Sequence, residues 1–230
     1  HVQADQEEED HYAIVYLPVF NGNDYSSIDA NTGEWTTIQQ QPDQQDKPTV
    51  SHPTAEEELN FLLSVGILKI DDVKAFDPDA EITRGKAIET IMRSLRPYYD
   101  HSYPGMETQK QSFDNIGPDH PLYQYIESAL SMGILETDSN TFDVDAPLTK
   151  EELAVWYIRG IGLEKAAEIS DIYQADFTDT DQVSDGHIGY VALADALDLV
   201  TAENNAFNPE QEISYADMAV SIFKFAELYE

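Results

Sequence analysis

Apolar residues recur at helical spacing in six segments between residues 51 and 230. Three segments predict the first helices of pairs, with apolar stripes at Leu59, Leu62, Leu63 and Ile67, at Ile126, Ala129, Leu130 and Ile134, and at Val191, Ala194, Leu197 and Leu199. The other three predict second helices, with stripes at Ile88, Ile91, Met92 and Leu95, at Leu153, Trp156 and Tyr157, and at Met218, Ile222, Phe223 and Ala226. Such stripes are typical of core faces. Because one helical hairpin cannot bury its stripe alone, we expect three helix-loop-helix units to pack around a shared axis.

The loop inside each pair repeats one order of residue types, at a period of about 65 residues. Each loop contains an aromatic residue, then an aliphatic residue, then a Thr or Ser. The three sets are Phe76, Ile82 and Thr83; Phe142, Leu148 and Thr149; and Phe207, Ile213 and Ser214. The hydroxyl residue predicts a helix N-cap, and Thr149 with Glu152 predicts a capping box.

Glycine marks the ends of two of the first helices. Gly66 and Gly133 stand where a left-handed residue would end the first helix of units one and two. Asp198 takes that place in unit three, so we expect this helix end to be built differently.

The N-terminal segment predicts a different structure. "YAIVYLPVF" and "YSSIDANTGEW" are typical of two strands joined across "NGND", which places a β-hairpin in residues 1–38. A lone hairpin is marginal in water, so we expect it either to dock on another part of the protein or to be the edge of a larger sheet. Residues 39–50 predict a polar linker, and the three units follow at 51–111, 112–175 and 176–230.

Charge and composition restrict the function. The net charge of −33 makes nucleic acid and an anionic membrane surface poor partners. The chain has no cysteine and no apolar run of about 18 residues, so disulfides, thiolate sites and membrane insertion are not expected. The six histidines are scattered, without an HExxH pair or a Gly-x-Ser-x-Gly elbow, and we expect no enzyme activity.

One helix start differs from the other two in charge. The first turn after Thr83 contains Arg84, Gly85 and Lys86 and no acid, although a helix N-terminus prefers acids. Half of the Lys and Arg residues of the chain also lie in one span of about thirty residues around this turn, from Lys69 to Arg96. Cations, free backbone N–H groups and a glycine that permits close approach predict an anion site in unit one. The alternative is that these bases pair with the abundant acids.

Two acidic loops, "TDSNTFDVD" and "DTDQVSDG", place oxygen atoms at alternating positions, as a calcium loop does. Neither completes the EF-hand spacing with a glutamate at the twelfth position. We therefore expect solvated loops and no cofactor, with calcium binding as the alternative.

The segment "DHPLYQYIESALSMGILETDSNTFDVDAPLTKEELAVWYIRGIG" resembles an S-layer homology (SLH) domain. Units one and three fit the same order of elements less closely. The resemblance implies a mainly α fold, with three repeats packed as a pseudo-threefold spindle. It also implies that a groove between repeats binds secondary cell wall polysaccharide through a pyruvate ketal. In addition, "SSIDANTGEW" resembles the closing strand of PepSY-type and YcdB-like domains, which implies that the hairpin ends a domain whose earlier part precedes residue 1.

The family motif transfers only in part to this sequence. Thr83 and Arg84 match its Thr-Arg pair, Thr149 and Lys150 match it conservatively, and Ser214 and Tyr215 do not. Arginine suits a ketal carboxylate, and aromatic faces stack on sugars. The candidate polysaccharide-binding residues are therefore Thr83, Arg84, Gly85, Lys86, Thr149, Lys150, Tyr123 and Tyr125.

Two functional hypotheses result. The first is a secreted, non-catalytic anchor at the surface of a Gram-positive bacterium that binds acidic, pyruvylated polysaccharide. The second is a structural subunit of an S-layer or other extracellular assembly with vestigial glycan binding. Cell wall polysaccharide is the expected partner, and self-association or contact with an upstream domain is the alternative.

Overall fold

The computed structural model describes residues 24–28, 35–39, 49–95, 111–137, 139–169 and 177–229. The chain divides into two compact units, residues 1–47 and 48–230. In the first, strand β1 (Asp24–Ile28) pairs antiparallel with strand β2 (Trp35–Gln39), with Ser26 opposite Thr37. The single strand predicted for residues 25–35 is therefore wrong, because Ile28 and Trp35 lie opposite each other on two paired strands. Its predicted partner, residues 12–20, lies outside the described residues.

The second compact unit is mainly helical, as predicted. Within residues 49–95, 111–137, 139–169 and 177–229 the α-helices are α1 (Glu56–Ser64), α2 (Arg84–Ser94), α3 (Tyr123–Ser131), α4 (Lys150–Gly160), α5 (Glu164–Ala167), α6 (Ile188–Ala196) and α7 (Tyr215–Tyr229). A short 3-10 helix covers Thr180–Gln182. The helices α1 and α2, α3 and α4, and α6 and α7 are the three predicted pairs.

The predicted N-caps of the second helices are confirmed. The hydroxyl of Thr83 accepts a hydrogen bond from Lys86 N, and that of Ser214 accepts one from Asp217 N. At Thr149 both halves of the capping box are present, with Glu152 as the reciprocal partner.

The ends of the first helices are alike in all three pairs. Gly66, Gly133 and Asp198 have φ of 74°, 73° and 57°. The next residue donates in each case to a carbonyl five positions earlier, as in Leu199 N to Ala194 O at 2.9 Å. The expectation of a different helix end at Asp198 is therefore wrong. Aspartate is one of the few non-glycine residues that tolerate the left-handed region.

Backbone hydrogen bonds join the three units in a closed cycle. Ile82 N donates to Ile213 O at 2.8 Å, Ile213 N donates to Leu148 O at 2.9 Å, and Leu148 N donates to Ile82 O at 3.0 Å. All three side chains are buried. The repeated aliphatic residue of the loop motif therefore lies where the three units meet.

Helix packing follows the same cycle. The second helix of each unit packs against the first helix of the next, in the pairs α2 with α3, α4 with α6, and α7 with α1. In the core between α4 and α7, the ring of Tyr157 stacks on Phe225 with centroids 4.4 Å apart, and its buried hydroxyl hydrogen-bonds Ser221. Burial raises the pKa of Tyr157 above its ordinary value. This arrangement leaves a junction between units at the start of each second helix.

Candidate functional site

The first residue of each second helix contacts the motif aromatic of the next unit. The Arg84 guanidinium lies 4.4 Å from the ring centroid of Phe142, and we name this contact region the 1–2 junction. At the 2–3 junction the Lys150 ammonium lies 5.2 Å from the ring centroid of Phe207. At the 3–1 junction the rings of Tyr215 and Phe76 meet edge to face at 5.0 Å. The motif aromatics therefore form inter-unit contacts, which explains why they repeat.

Each helix start also uses its first backbone N–H groups across the junction. The bonds are Arg84 N to Ala146 O and Gly85 N to Val144 O, Lys150 N to Gln211 O and Glu151 N to Pro209 O, and Tyr215 N to Ala80 O and Ala216 N to Pro78 O. The prediction of free N–H groups at the start of α2 is therefore wrong, because carbonyl groups of the next unit already accept from them.

Gly85 has a packing role at the 1–2 junction. A Cβ atom built there would lie 2.6 Å from Leu122 Cδ1 and 2.9 Å from Val144 Cβ. No side chain fits without a shift of these neighbours. The glycine thus permits close approach of unit two, where the sequence interpretation placed an anion.

Three basic side chains of unit one have acidic partners. Arg84 Nε lies 3.0 Å from Glu152 Oε1, although its N–H is not aligned for a hydrogen bond, and the two side chains are 26% and 32% exposed. Lys86 Nζ donates to Glu89 Oε2 at 2.8 Å. Arg93 Nε donates to the other oxygen of Glu89 at 3.1 Å. The alternative that these bases pair with acids accounts for all three.

Glu89 shows how closely these charges are matched. Burial raises the pKa of this carboxyl, but the hydrogen bonds and charges of Lys86 and Arg93 outweigh burial and hold it below its ordinary value. Arg93 also lies over the ring of Tyr125 and donates to its hydroxyl. Tyr125 and the half-buried Tyr123 both pack against the core. The structure thus gives Tyr125 a contact with unit one across the α2 and α3 packing.

A cavity of about 300 Å³ opens at the 2–3 junction. Its apolar wall consists of Leu153, Leu199, Val200, Ile213 and Val220. The charged wall consists of Lys150, Lys224, Asp198, Glu203 and Asp217. Thr54 of unit one also lines the cavity. This volume is at the lower end of the range for small-molecule sites.

Lys150 is the unusual residue of this cavity. It is only 5% exposed. Among the residues that the structure describes, its ammonium has no hydrogen bond and no carboxylate within 4 Å, and its contact is the Phe207 ring. Burial lowers the pKa of Lys150, and the more distant negative charges of Glu203 and Asp217 offset this only in part. A buried cation of this kind is a natural contact for an anionic ligand.

Neighbouring groups fix the position of Lys150. Asp179 accepts from Phe207 N at 2.9 Å and from Asn208 N at 2.7 Å, which holds the aromatic ring in place. Glu151 accepts from Ser184 N and lies 2.6 Å from His187 Nδ1, which ties the start of α4 to the start of α6. Burial raises the pKa of Glu151, but these hydrogen bonds outweigh it, and the pKa is lowered.

The candidate residues from the sequence thus fall into two groups. Lys150 lines the cavity, and Thr149 caps the helix that positions it. Thr83, Arg84, Gly85, Lys86, Tyr123 and Tyr125 lie around the 1–2 junction and make contacts within the protein. Sequence reasoning missed Asp198, Glu203, Asp217 and Lys224 as cavity residues, because they come together only through contacts between units. One local signal existed, since Lys86 has an acid three positions on whereas Lys150 has Leu153 and Ala154 at the helical spacings.

A comparison with protein families supports the helical repeats of units two and three. No helix in the described part of the chain is long and apolar enough to cross a membrane. No curated protein of similar sequence is found. Residues 112–154 and 176–219 each match the family model of the S-layer homology domain, a cell-surface anchoring module, and the match supports a non-catalytic anchoring role.

Proposed function

We propose that this protein is an anchor of the bacterial cell surface that binds acidic, pyruvylated cell wall polysaccharide in the cavity of the 2–3 junction. The carrying observation is Lys150, whose side chain is largely buried and whose ammonium lines the cavity with no carboxylate within 4 Å in the described structure. Partial removal of this ammonium from water, with no protein partner in place, has a free-energy cost. A ligand carboxylate would remove that cost and form a charge-assisted hydrogen bond.

The rest of the cavity suits a sugar. Its apolar wall can cover the C–H face of a pyranose ring or a ketal methyl group. Its exposed carboxylates and hydroxyl groups can accept hydrogen bonds from sugar hydroxyls. We place the acidic group at Lys150 rather than at Arg84, because Glu152 already faces that guanidinium.

Residues 51–111 are, in this proposal, a third SLH repeat, and the three repeats form a pseudo-threefold spindle. The closed cycle of hydrogen bonds among Ile82, Leu148 and Ile213 supports this arrangement. So does the common left-handed end of the three first helices. Residues 1–38 are, in this proposal, the end of a PepSY/YcdB-like domain.

The test is retention of the chain on purified cell wall, before and after acid removal of pyruvate. Loss of one charge-assisted hydrogen bond of about 1.5–3 kcal/mol corresponds to an increase of about 10- to 150-fold in Kd. We expect that loss for Lys150→Met and for wall without pyruvate. Lys165→Met, which removes an exposed lysine on α5, is the matched control and should bind normally.

Two outcomes would contradict the proposal. Unchanged retention of Lys150→Met would remove the cavity from the mechanism. Failure of the unaltered chain to bind any wall fraction, together with ordered particles formed by the chain alone, would favour the assembly hypothesis instead.

A further inference from the structure

The charged wall of the cavity holds more than an anion needs. It combines the ammonium groups of Lys150 and Lys224 with the carboxylates of Asp198, Glu203 and Asp217. A ligand that carries only negative charge would gain the contact with Lys150 but would face three like charges. It would also approach a chain with a net charge of −33.

The carboxylates are available to a ligand. In the described ranges, the side chains of Asp198 and Glu203 accept no hydrogen bond and form no ion pair, and both are exposed. Asp217 uses Oδ2 to accept from the hydroxyl of Ser214 at 2.7 Å, which leaves Oδ1. Free carboxylate oxygens beside a buried ammonium form a surface with both signs of charge.

Asp198 is present at a conformational cost. It has a φ of 57°, at the position where Gly66 and Gly133 end the helices of the other two units. A side chain in the left-handed region costs about 1 kcal/mol relative to glycine, although aspartate tolerates it better than most residues. The carboxylate therefore stands at the cavity where glycine would serve the backbone better.

We propose that the cavity recognises a zwitterionic sugar, which carries a free ammonium group in addition to its acidic group. This inference rests on the proposed function and specifies its ligand. The acidic group contacts Lys150, and the ligand ammonium contacts the carboxylates of Asp198 and Glu203. Matched pairs of this kind avoid the repulsion that a purely anionic sugar meets. The volume of about 300 Å³ favours one sugar residue over an extended chain.

Defined sugars can test this pairing by calorimetry or NMR titration. Muramic acid carries a free amine and a carboxylate, N-acetylmuramic acid carries the carboxylate alone, and glucosamine carries the amine alone. We expect muramic acid to bind at least about 10-fold more tightly than either of the others, as the loss of one charged contact predicts.

Variants assign each half of the ligand to its side of the cavity. The double variant Asp198→Asn with Glu203→Gln should bind the two muramic acids equally, and Lys150→Met should lose its preference for muramic acid over glucosamine. Asp185→Asn, an exposed acid outside the cavity, should keep the full preference of the unaltered chain.

The outcomes separate this inference from the proposed function. If N-acetylmuramic acid binds as tightly as muramic acid or more tightly, and the binding still depends on Lys150, the zwitterionic ligand is refuted and the anchoring site remains. Loss of wall binding in every assay would overturn both. A preference for muramic acid that persists in the Asp198 and Glu203 variant would also overturn the assignment.

Discussion

Replacing Lys150 by methionine is expected to stabilise the protein while it weakens polysaccharide binding. The perturbation removes the ammonium of a largely buried side chain and keeps an unbranched apolar chain beside Phe207. Because the ammonium faces the open cavity, removing it recovers about 1–2 kcal/mol, the lower part of the range for a buried polar group without a partner. The lost attraction of Glu203 and Asp217, which lie beyond 4 Å and beside solvent, offsets about 0–1 kcal/mol.

The net gain in the free energy of unfolding is therefore about 1 kcal/mol. For a unit of this size that corresponds to an increase in Tm of about 2–4 °C. Urea unfolding at pH 7, followed by circular dichroism, measures the free energy, and a thermal scan measures Tm. Lys165→Met, on the surface of α5, should change the free energy of unfolding by no more than about 0.5 kcal/mol.

The gain should also depend on pH. The pKa of Lys150 is lowered in the folded protein, so the charge opposes folding at pH values below that lowered pKa. The difference between the variant and the unaltered chain should shrink as pH rises through the lowered pKa, and it should vanish above the ordinary lysine value of 10.5. A Lys150→Met protein that is less stable at pH 7 would refute the reasoning, because it would show that the ammonium is paired.

Two further substitutions test the junctions. Gly85→Ala places a Cβ atom 2.6 Å from Leu122 Cδ1 and should destabilise the protein by about 1–3 kcal/mol in urea unfolding. Gly117→Ala, with its nearest atom at 3.9 Å, is the control and should cost much less. Equal effects of the two substitutions would show that Gly85 has no special packing role at the 1–2 junction. Glu212→Gln should raise stability at pH 7, because a hydrogen bond and charge repulsion from Glu81 raise the pKa of this exposed carboxyl in the folded protein. The gain in stability should disappear as pH falls through the raised pKa of Glu212. The control Glu210→Gln should show no such gain. A gain in Glu212→Gln that is independent of pH would contradict the interaction between Glu212 and Glu81.

Local patterns predicted the six helices of the three pairs, but not α5 or the 3-10 helix. The apolar stripes, the hydroxyl caps and the glycines at 66 and 133 each depend on residues within two turns of one another, so the sequence contains the whole signal. The pair of Lys86 and Glu89 is also local, at a spacing of three residues, and could have been predicted.

The junctions could not be predicted in the same way. The partners of the N–H groups of Arg84 and Gly85 lie about sixty residues further on, in the loop before α4. The space at Gly85 depends on Leu122 and Val144 of the next unit. A glycine between two basic residues is compatible with either an anion or a neighbouring loop in that space. Only the packing of the next unit distinguishes these two cases.

The conformation of Asp198 was missed for a different reason. Preference for glycine at a left-handed helix end is a matter of about 1 kcal/mol. The five-position hydrogen bond from Leu199 N to Ala194 O and the burial of Leu199 outweigh a preference of that size. Tertiary packing therefore kept the geometry common to the three units although the residue type changed.

The most direct measurement for the central claim is the titration of the Lys150 side chain by NMR, with and without pyruvylated wall polysaccharide. If a ligand carboxylate contacts this ammonium, the pKa of Lys150 should rise on binding, and its side-chain signals should shift while those of Arg84 stay in place. An unchanged Lys150 pKa at saturating polysaccharide, with the shifts centred on Arg84, would contradict the account.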